Sequence, residues 1–403
     1  MADTLEVFKD GSHIGRFTRS DDQIIRFVYD DDAPPTPISL SLPRDGQATS
    51  RAAANLLNNL LPDNEDVRGA WSRRLGVPNR PFDLLSRMGE DVAGALVLLP
   101  EGHSLSDRPS VAQPASIDEI ADRIASITRN PSAWLAPELI GTSRMSLAGA
   151  QGKFTLAQVG ESWFWSSATL PSTHIFKPAL SRLEQVPEIE AGSLELARRA
   201  GIPAPRAEAT EFLGQRTYVT ERFDRQIANG RIRRVHTEDF AQAQGRPPSQ
   251  KYGISARQML DITRRHAGED EMYAFIRMLS FNTALGNTDA HAKNYSIFLD
   301  DGVRLTPLYD SNPTMIWPQL SEDRLAMPIS GALRPQQIQP GHWAKLARVS
   351  GLDPIRVVGI AQDTATVVLE RFEDAFTMHG VSSGLISDVA QLFTATTKDM
   401  VRA

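Results

Sequence analysis

Apolar and polar positions alternate twice near the start of the chain, in LEVFK and in SHIGRF, on either side of Asp10-Gly11. A period of two with an Asp-Gly link predicts a β-hairpin. IIRFVYD supplies a third strand, and Pro34, Pro35 and Pro37 then break the pattern. Helical spacing takes over from Ala52 to Leu61, where Pro62 ends it, and returns from Glu65 to Leu75. VAGALVLLP (92–100) reads as a buried strand, and the Ser-, Pro-, Gly- and Asp-rich stretch Glu101–Ser116 reads as a linker. Ser116 and Glu119 form a capping box that opens a short helix through Ile127. Strand patterns follow at Lys153–Val159, Ser162–Trp165 and His174–Lys177. A helix from Glu188 to Ala200 stops at Gly201, with Pro203 beyond it. Two strands flank Asn229-Gly230, a strong two-residue turn signal. From Ser255 the chain is mainly helical, with Asp353-Pro354 as N-cap and first-turn proline of a C-terminal helix. No internal repeat interrupts this order.

Composition narrows the class. Hydrophobic residues make up 41% and charged residues 23% of the 403 positions, ordinary globular usage. No apolar run reaches the roughly 18 residues of a membrane helix. MADTLEVFKDGSH has neither a basic nor an apolar leader region, so a cytoplasmic protein without a secretory signal is expected. The absence of cysteine removes disulfides, thiolate nucleophiles, iron–sulfur clusters and cysteine-based zinc sites together. A net charge of −6, from 43 basic and 49 acidic residues, gives no whole-chain attraction to nucleic acid or membrane.

The chemistry concentrates in residues 281–310, FNTALGNTDAHAKNYSIFLDDGVRLTPLYD. Met272, Phe275, Ile276 and Leu279 share a helix face that Gly286 can terminate. A polar loop follows with Asp289, His291, Lys293 and Asn294. Next, Tyr295–Leu299 pairs with Val303–Leu308 across Asp300-Asp301-Gly302. The open ends of a hairpin lie side by side, so Asn294 should meet Asp310. Asp289 and Asn294 have the D-x-x-x-x-N spacing of a protein-kinase catalytic loop. There Asp accepts the substrate hydroxyl proton, Asn holds magnesium, and a second metal-holding Asp follows. Hard-ion chemistry explains these types, because magnesium takes oxygen ligands and keeps several waters beside phosphates.

Ser146–Lys153 is rich in small residues and precedes a strand. Ala148, Gly149, Ala150 and Gln151 could therefore bring backbone amides to phosphates. Lys177 ends the strand HIFKP, placed for the α- and β-phosphates, and Glu190 on the next helix could pair with it. Taken singly, these features read otherwise. Lys177 alone is a solvated strand-end lysine, Glu190 a surface helix residue, and Ser146-Leu-Ala-Gly-Ala an ordinary turn. Arg222, Arg225, Arg231, Arg233 and Arg234 read first as a solvated hairpin face and second as a phosphate- or acid-binding group. A metal-hydrolase cluster of Asp289, His291 and Asp310 is disfavoured by a lone histidine and no cysteine. What changes the reading is the shared kinase order of small-residue loop, Lys, Glu, hairpin, then Asp, Asn, Asp.

Several blocks together resemble the HipA family, the toxin kinases of bacterial HipBA toxin–antitoxin modules. They are SLSLP (39–43), NNLLPDNEDVR (58–68), FDLLSRMGEDVAGAL (82–96), SRMSLAGAQGK (143–153), HIFKP (174–178), VTERFDR (219–225), EDFAQAQG (238–245) and GNTDAHAKNYS (286–296). The resemblance implies an α+β fold with a small mixed N-terminal subdomain (1–105). A bilobed kinase domain follows, its N-lobe at 106–250 and its mainly helical C-lobe at 251–403. It implies ATP and Mg²⁺ as cofactors, a serine or threonine of a protein as acceptor, and aminoacyl-tRNA synthetases as target class. A HipB-like DNA-binding antitoxin is the implied partner, with operator DNA reached mainly through it. By position, Asp289 matches the catalytic base, Asn294 and Asp310 the magnesium ligands, and Lys177 the nucleotide lysine. Glu221 and Phe223 fall at the adenine hinge, and His291 and Lys293 join the nucleotide set. Ser146 matches the serine that the family autophosphorylates, which would put negative charge where phosphates bind and switch the kinase off. Asp289 precedes His291 rather than following it, and the phosphate loop lacks G-x-G-x-x-G. A catalytically silent nucleotide-binding corepressor and a small-molecule kinase are the alternatives.

Overall fold

Asp10 and Gly11 take φ of 49° and 84°, the positive values of a primed turn. They close β1 (Thr4–Lys9) onto β2 (Ser12–Arg19) as the sequence expects. The computed structural model describes residues 3–46, 48, 51–108, 112–130, 145–149, 151–180, 182–228, 231–320 and 323–401. The Asn229-Gly230 turn, Ala150 and residues 143–144 lie outside the described residues. Contacts gather the chain into two units, one of residues 1–178, 210–249 and 298–301, the other of 179–209, 250–297 and 302–403.

In the first unit, β3 (Ile25–Tyr29) joins β2, while β4 (Val97–Pro100) joins β1, giving the order β3-β2-β1-β4. Leu5, Val7 and Phe17 of this sheet share a core with α1 (Ala52–Asn59), α2 (Glu65–Leu75) and α3 (Pro81–Met88) through Leu56, Leu57, Trp71 and Phe82. The strand expected over 92–100 is shorter than its apolar run. Val92–Leu96 leave the sheet because their backbone serves another purpose: the carbonyls of Val92 and Gly94 accept from buried arginines.

The second sheet has the order β5-β7-β6-β8-β10-β9. Its strands are β5 (Gln113–Pro114), β6 (Phe154–Val159), β7 (Ser162–Trp165), β8 (His174–Pro178), β9 (Ala207–Phe212) and β10 (Gln215–Glu221). β5 lies in the stretch expected as a linker, where Gln113 pairs with Trp165. Helix α4 (Ile117–Arg129), with its Ser116–Glu119 capping box, lays Ile120, Ile124 and Ile127 against Phe154, Leu156, Phe176 and Val219. Across the undescribed turn, β11 (Arg225–Ala228) pairs with β12 (Arg231–Arg234).

The expected solvated arginine face holds only for Arg231 and Arg233. Arg222 and Arg225 are 5% and 8% exposed. Arg222 grips Asp224 through Nε and Nη2 at 2.9 and 2.7 Å, and Arg225 donates to Asp91 at 2.9 Å. Arg234 donates to the carbonyls of Ala168, Glu90 and Ser167. Periodicity cannot distinguish a solvated arginine from one whose partners lie some 130 residues away.

Beyond β13 (Thr237–Asp239), Asp239 caps the short α6 (Phe240–Ala243). Glu238 is buried and accepts the Leu40 N–H at 2.9 Å.

The second unit is mainly helical, with α5 (Val186–Arg199), α7 (Ala256–His266), α8 (Glu269–Leu285), α9 (Pro340–Val349), α10 (Pro354–Met378) and α11 (Ser383–Thr397). Asp353 accepts the Ile355 and Arg356 amides and caps α10. That helix packs on α5, α8, α9 and α11. It approaches α5 so closely that a Cβ at Gly192 would stand 2.1 Å from Phe376. Among the described residues no helix is long and apolar enough to cross a membrane.

Burial pushes the Glu238 carboxyl up to about 8, so the folded chain keeps a proton there that the unfolded chain releases near 4.5. The sign follows: this group costs no stability below about 4.5 and destabilises progressively as pH rises through about 8. Thermal unfolding measured from pH 5 to 9 should show Glu238→Gln losing less stability with rising pH than the parent. Parallel curves would contradict it.

Candidate active site

In the first unit the residues expected as a phosphate loop are held by hydrogen bonds to their neighbours. Ser146 is fully buried; its N–H donates to the Asp91 carbonyl at 3.0 Å and its hydroxyl to the Leu60 carbonyl at 2.7 Å. Gly149 has φ of 115°, and its carbonyl accepts the Asp63 N–H at 3.1 Å. Lys153 folds back to donate from Nζ to the Ala148 carbonyl at 2.9 Å, and a Cβ on Gly149 would come within 2.5 Å of that nitrogen. Gln151 donates to the Pro178 carbonyl. This stretch is a seated loop rather than an ordinary turn. Lys177 on β8 is 7% exposed, with Nζ 5.4 Å from the centroid of the Tyr218 ring. The solvated strand-end reading therefore fails, since a buried ammonium needs a compensating environment. At the end of β10, Glu221 is exposed, whereas Phe223 meets Phe298 edge-on at 6.0 Å.

In the second unit Gly286, with φ of 71°, ends α8 and releases the polar loop. Ser296 and Ile297 open β14 (Ser296–Phe298), whose last residue belongs to the first unit, β15 (Arg304–Leu305) follows, and the Thr306 amide donates to the Ser296 carbonyl. The closure expected of this hairpin is present: Asn294 Nδ2 donates to Asp310 Oδ2 at 3.1 Å across sixteen residues. Asp310 itself has φ of 53°, a left-handed backbone that is uncommon for a residue with a Cβ and recurs at functional sites. His291, Lys293 and Asn294 are buried, and Asn294 Oδ1 accepts the His291 amide. Asp289 is better exposed, and its Oδ1 accepts from Tyr252. Glu190, on α5 of this unit, is 1% exposed and so is not the surface residue its isolated reading suggests.

Sequence reasoning missed the residue that organises this loop. Asn282 on α8 accepts from Asn287 Nδ2 at 2.9 Å and from Ser311 Oγ at 2.6 Å, and donates to the Tyr295 hydroxyl at 2.9 Å. Asn287 in turn accepts the Asp289 amide at 3.1 Å. One buried amide thus links the backbone of Asp289 to the residue after Asp310. Thr288 adds a second tie, its amide donating to Thr314 Oγ1 at 2.8 Å. The only available signal is an asparagine on an otherwise apolar helix face. A separate cavity of about 590 Å³ in the first unit is lined by Phe8, Lys9, Val97, Arg231 and Arg233 among others, and it contains none of the candidate residues.

A first unit of sheets and helices together with a mainly helical second unit fits a protein-kinase-like fold. The chain belongs to the HipA family. The HipA N-terminal domain family matches residues 5–99 and the HipA-like C-terminal domain family residues 145–375. A Sinorhizobium fredii protein, provisionally named kinase Y4mE, is 34% identical over 393 residues, 92% of each chain. The serine/threonine-protein kinase toxin HipA of Shewanella oneidensis is 30% identical over 325 residues, 75% of this chain and 72% of that one. The solved Shewanella oneidensis MR-1 complex of HipA, HipB and operator DNA superimposes with a TM-score of 0.82 at 26% identity. The match covers 98% of this chain and 96% of that one.

Replacing Asn282 with Ala strands two donors and one hydroxyl in the interior. The expected cost is about 1–3 kcal/mol of stability, read as a lowered unfolding temperature. A variant as stable as the parent would show that this network holds nothing.

Proposed function

We propose that the chain is an ATP- and Mg²⁺-dependent serine/threonine protein kinase acting as the toxin of a toxin–antitoxin pair. The contact of Asn294 with Asp310, in a loop whose Asp289 is tied by Asn287 to the same buried amide, carries this reading. Family membership supports it. The donor set suits magnesium: one carboxylate and one amide oxygen are hard ligands that leave room for water and phosphate oxygens. Asn294 and Asp310 would hold the ion, which when bound neutralises charge on the phosphates.

The chain's own residues do the rest. Asp289 orients the acceptor hydroxyl and takes its proton as the oxygen attacks the γ-phosphorus. Lys177 holds the nucleotide phosphates as a point charge, and Glu190 belongs to the nucleotide set. Amides of Ala148, Gly149 and Gln151 face the phosphates, His291 and Lys293 border the nucleotide, and Glu221 and Phe223 receive the adenine. Catalysis of this kind is mostly positioning and electrostatics. The segments 1–105, 106–250 and 251–403 then serve as N-terminal subdomain, N-lobe and C-lobe.

The solved relative stands with HipB and operator DNA, which supports a HipB-like DNA-binding antitoxin as partner. A net charge of −6 favours DNA reached through that partner. The acceptor is a cytoplasmic protein, with aminoacyl-tRNA synthetases as the class the family suggests. Ser146 is the autophosphorylation site. Since its hydroxyl is buried on Leu60, modification requires the loop to leave its seat.

Induced expression without antitoxin should arrest growth. Asp289→Ala and Asp310→Ala should abolish growth arrest, and Asp289→Ala should cut phosphoryl transfer roughly 10²-fold or more, both with the fold intact by circular dichroism. A stably folded Asp289→Ala chain that still arrests growth would overturn the assignment.

A further inference from the structure

Tyr252 sits in the short 3-10 turn Pro248–Gly253 and is 54% exposed, yet its hydroxyl is not left to water. It donates to Asp289 Oδ1 at 2.7 Å. The ring is fixed from two directions: His291 meets it edge-on with centroids 5.1 Å apart, and Lys251 Nζ lies 5.3 Å from its centroid. Residues 250–253, 289 and 291 all belong to the second unit, so the arrangement is internal to it. A phenol donating to a carboxylate at this distance is a charge-assisted bond, stronger than a neutral one.

The consequence is geometric. A general base needs one carboxylate lone pair aimed at the incoming hydroxyl, but the terminal torsion of an aspartate is broad and fixes neither oxygen by itself. A donor clamped on Oδ1 sets the plane of the group and so the directions in which its remaining lone pairs point. We propose that Tyr252 is a positioning residue for phosphoryl transfer, holding Asp289 by Oδ1 so that the plane of its carboxylate is set for the acceptor hydroxyl. In the step it serves, the acceptor oxygen bonds to the γ-phosphorus of ATP and its proton passes to the Asp289 carboxylate. The bond from the γ-phosphorus to the β–γ bridging oxygen breaks, and ADP leaves with that electron pair. This role rests on the reading of Asp289 as the base.

The test uses Tyr252→Phe, which keeps the ring against His291 and removes only the donor. Label transfer from ATP to protein hydroxyls, on the chain itself and on added casein, is followed against ATP concentration beside the parent and Asp289→Ala. The expected result is a fall in kcat of roughly tenfold, with KM for ATP and the unfolding temperature unchanged. A kcat equal to or above the parent's, with Asp289→Ala inactive, would overturn the positioning role while leaving the base in place. A rise in KM at unchanged kcat would overturn it too, since it would make Tyr252 part of nucleotide binding. Transfer by Asp289→Ala at the parent rate, or none by the parent, would remove the base and this role with it.

Discussion

Asp91 is fully buried, and a carboxylate persists there because three guanidinium groups surround it. Burial alone would raise its pKa, yet Arg222, Arg225 and Arg234 outweigh that and hold it below the usual range. Asp224 completes the cluster: burial opposes its charge, but Arg222 and Arg225 keep it ionised far below ordinary carboxylates, and it accepts the Gly94 amide. The same Asp91 offers its backbone carbonyl to the amide of Ser146. The charge cluster and the seat of the Ser146 backbone therefore share one residue. Stranding a buried charge by deleting its partner costs about 3–5 kcal/mol, and this cluster ties the segment after α3 to the VTERFDR stretch. Two further contacts from the N-terminal part, the Leu60 carbonyl and the Asp63 amide, hold the same loop. In the proposed function that seat decides whether the loop meets phosphates or is released.

The second unit solves a related problem with neutral groups. Its polar loop needs two acidic residues, Asp289 and Asp310, in defined places on irregular backbone. Asn282 supplies the order by satisfying Asn287, Ser311 and Tyr295 at once. A fully satisfied buried amide specifies one arrangement where an apolar side chain would permit several. The two carboxylates stand exposed at the edge of this unit, and neutral polarity fixes their loop from within.

Local chemistry was legible in the sequence wherever a short pattern decides the backbone. The Asp10-Gly11 turn, the Ser116–Glu119 cap, the end of α8 at Gly286 and the Asp353 cap of α10 all lie where their residues indicate. The meeting of Asn294 with Asp310 was legible for the same reason, since a hairpin fixes the separation of its own ends. What escaped depends on partners distant in sequence. Arg222, Arg225 and Arg234 look solvated until residues 90–94 and 167–168 supply their acceptors. Val92–Leu96 look like strand until those arginines claim their carbonyls. Tyr252 stands thirty-seven residues before Asp289, and no periodicity marks it as that carboxylate's partner. The roles of the site residues came from their order and from family resemblance, which geometry alone does not supply.

The central claim is that one chain carries both a kinase site and a releasable serine in its own phosphate loop. Mass spectrometry of the intact chain and its peptides, before and after incubation with ATP and Mg²⁺, tests it most directly. The account predicts an unmodified starting chain that gains a single phosphate on Ser146, with no gain in Asp289→Ala. A chain that starts unmodified and stays so would contradict it and leave a silent nucleotide-binding partner in its place.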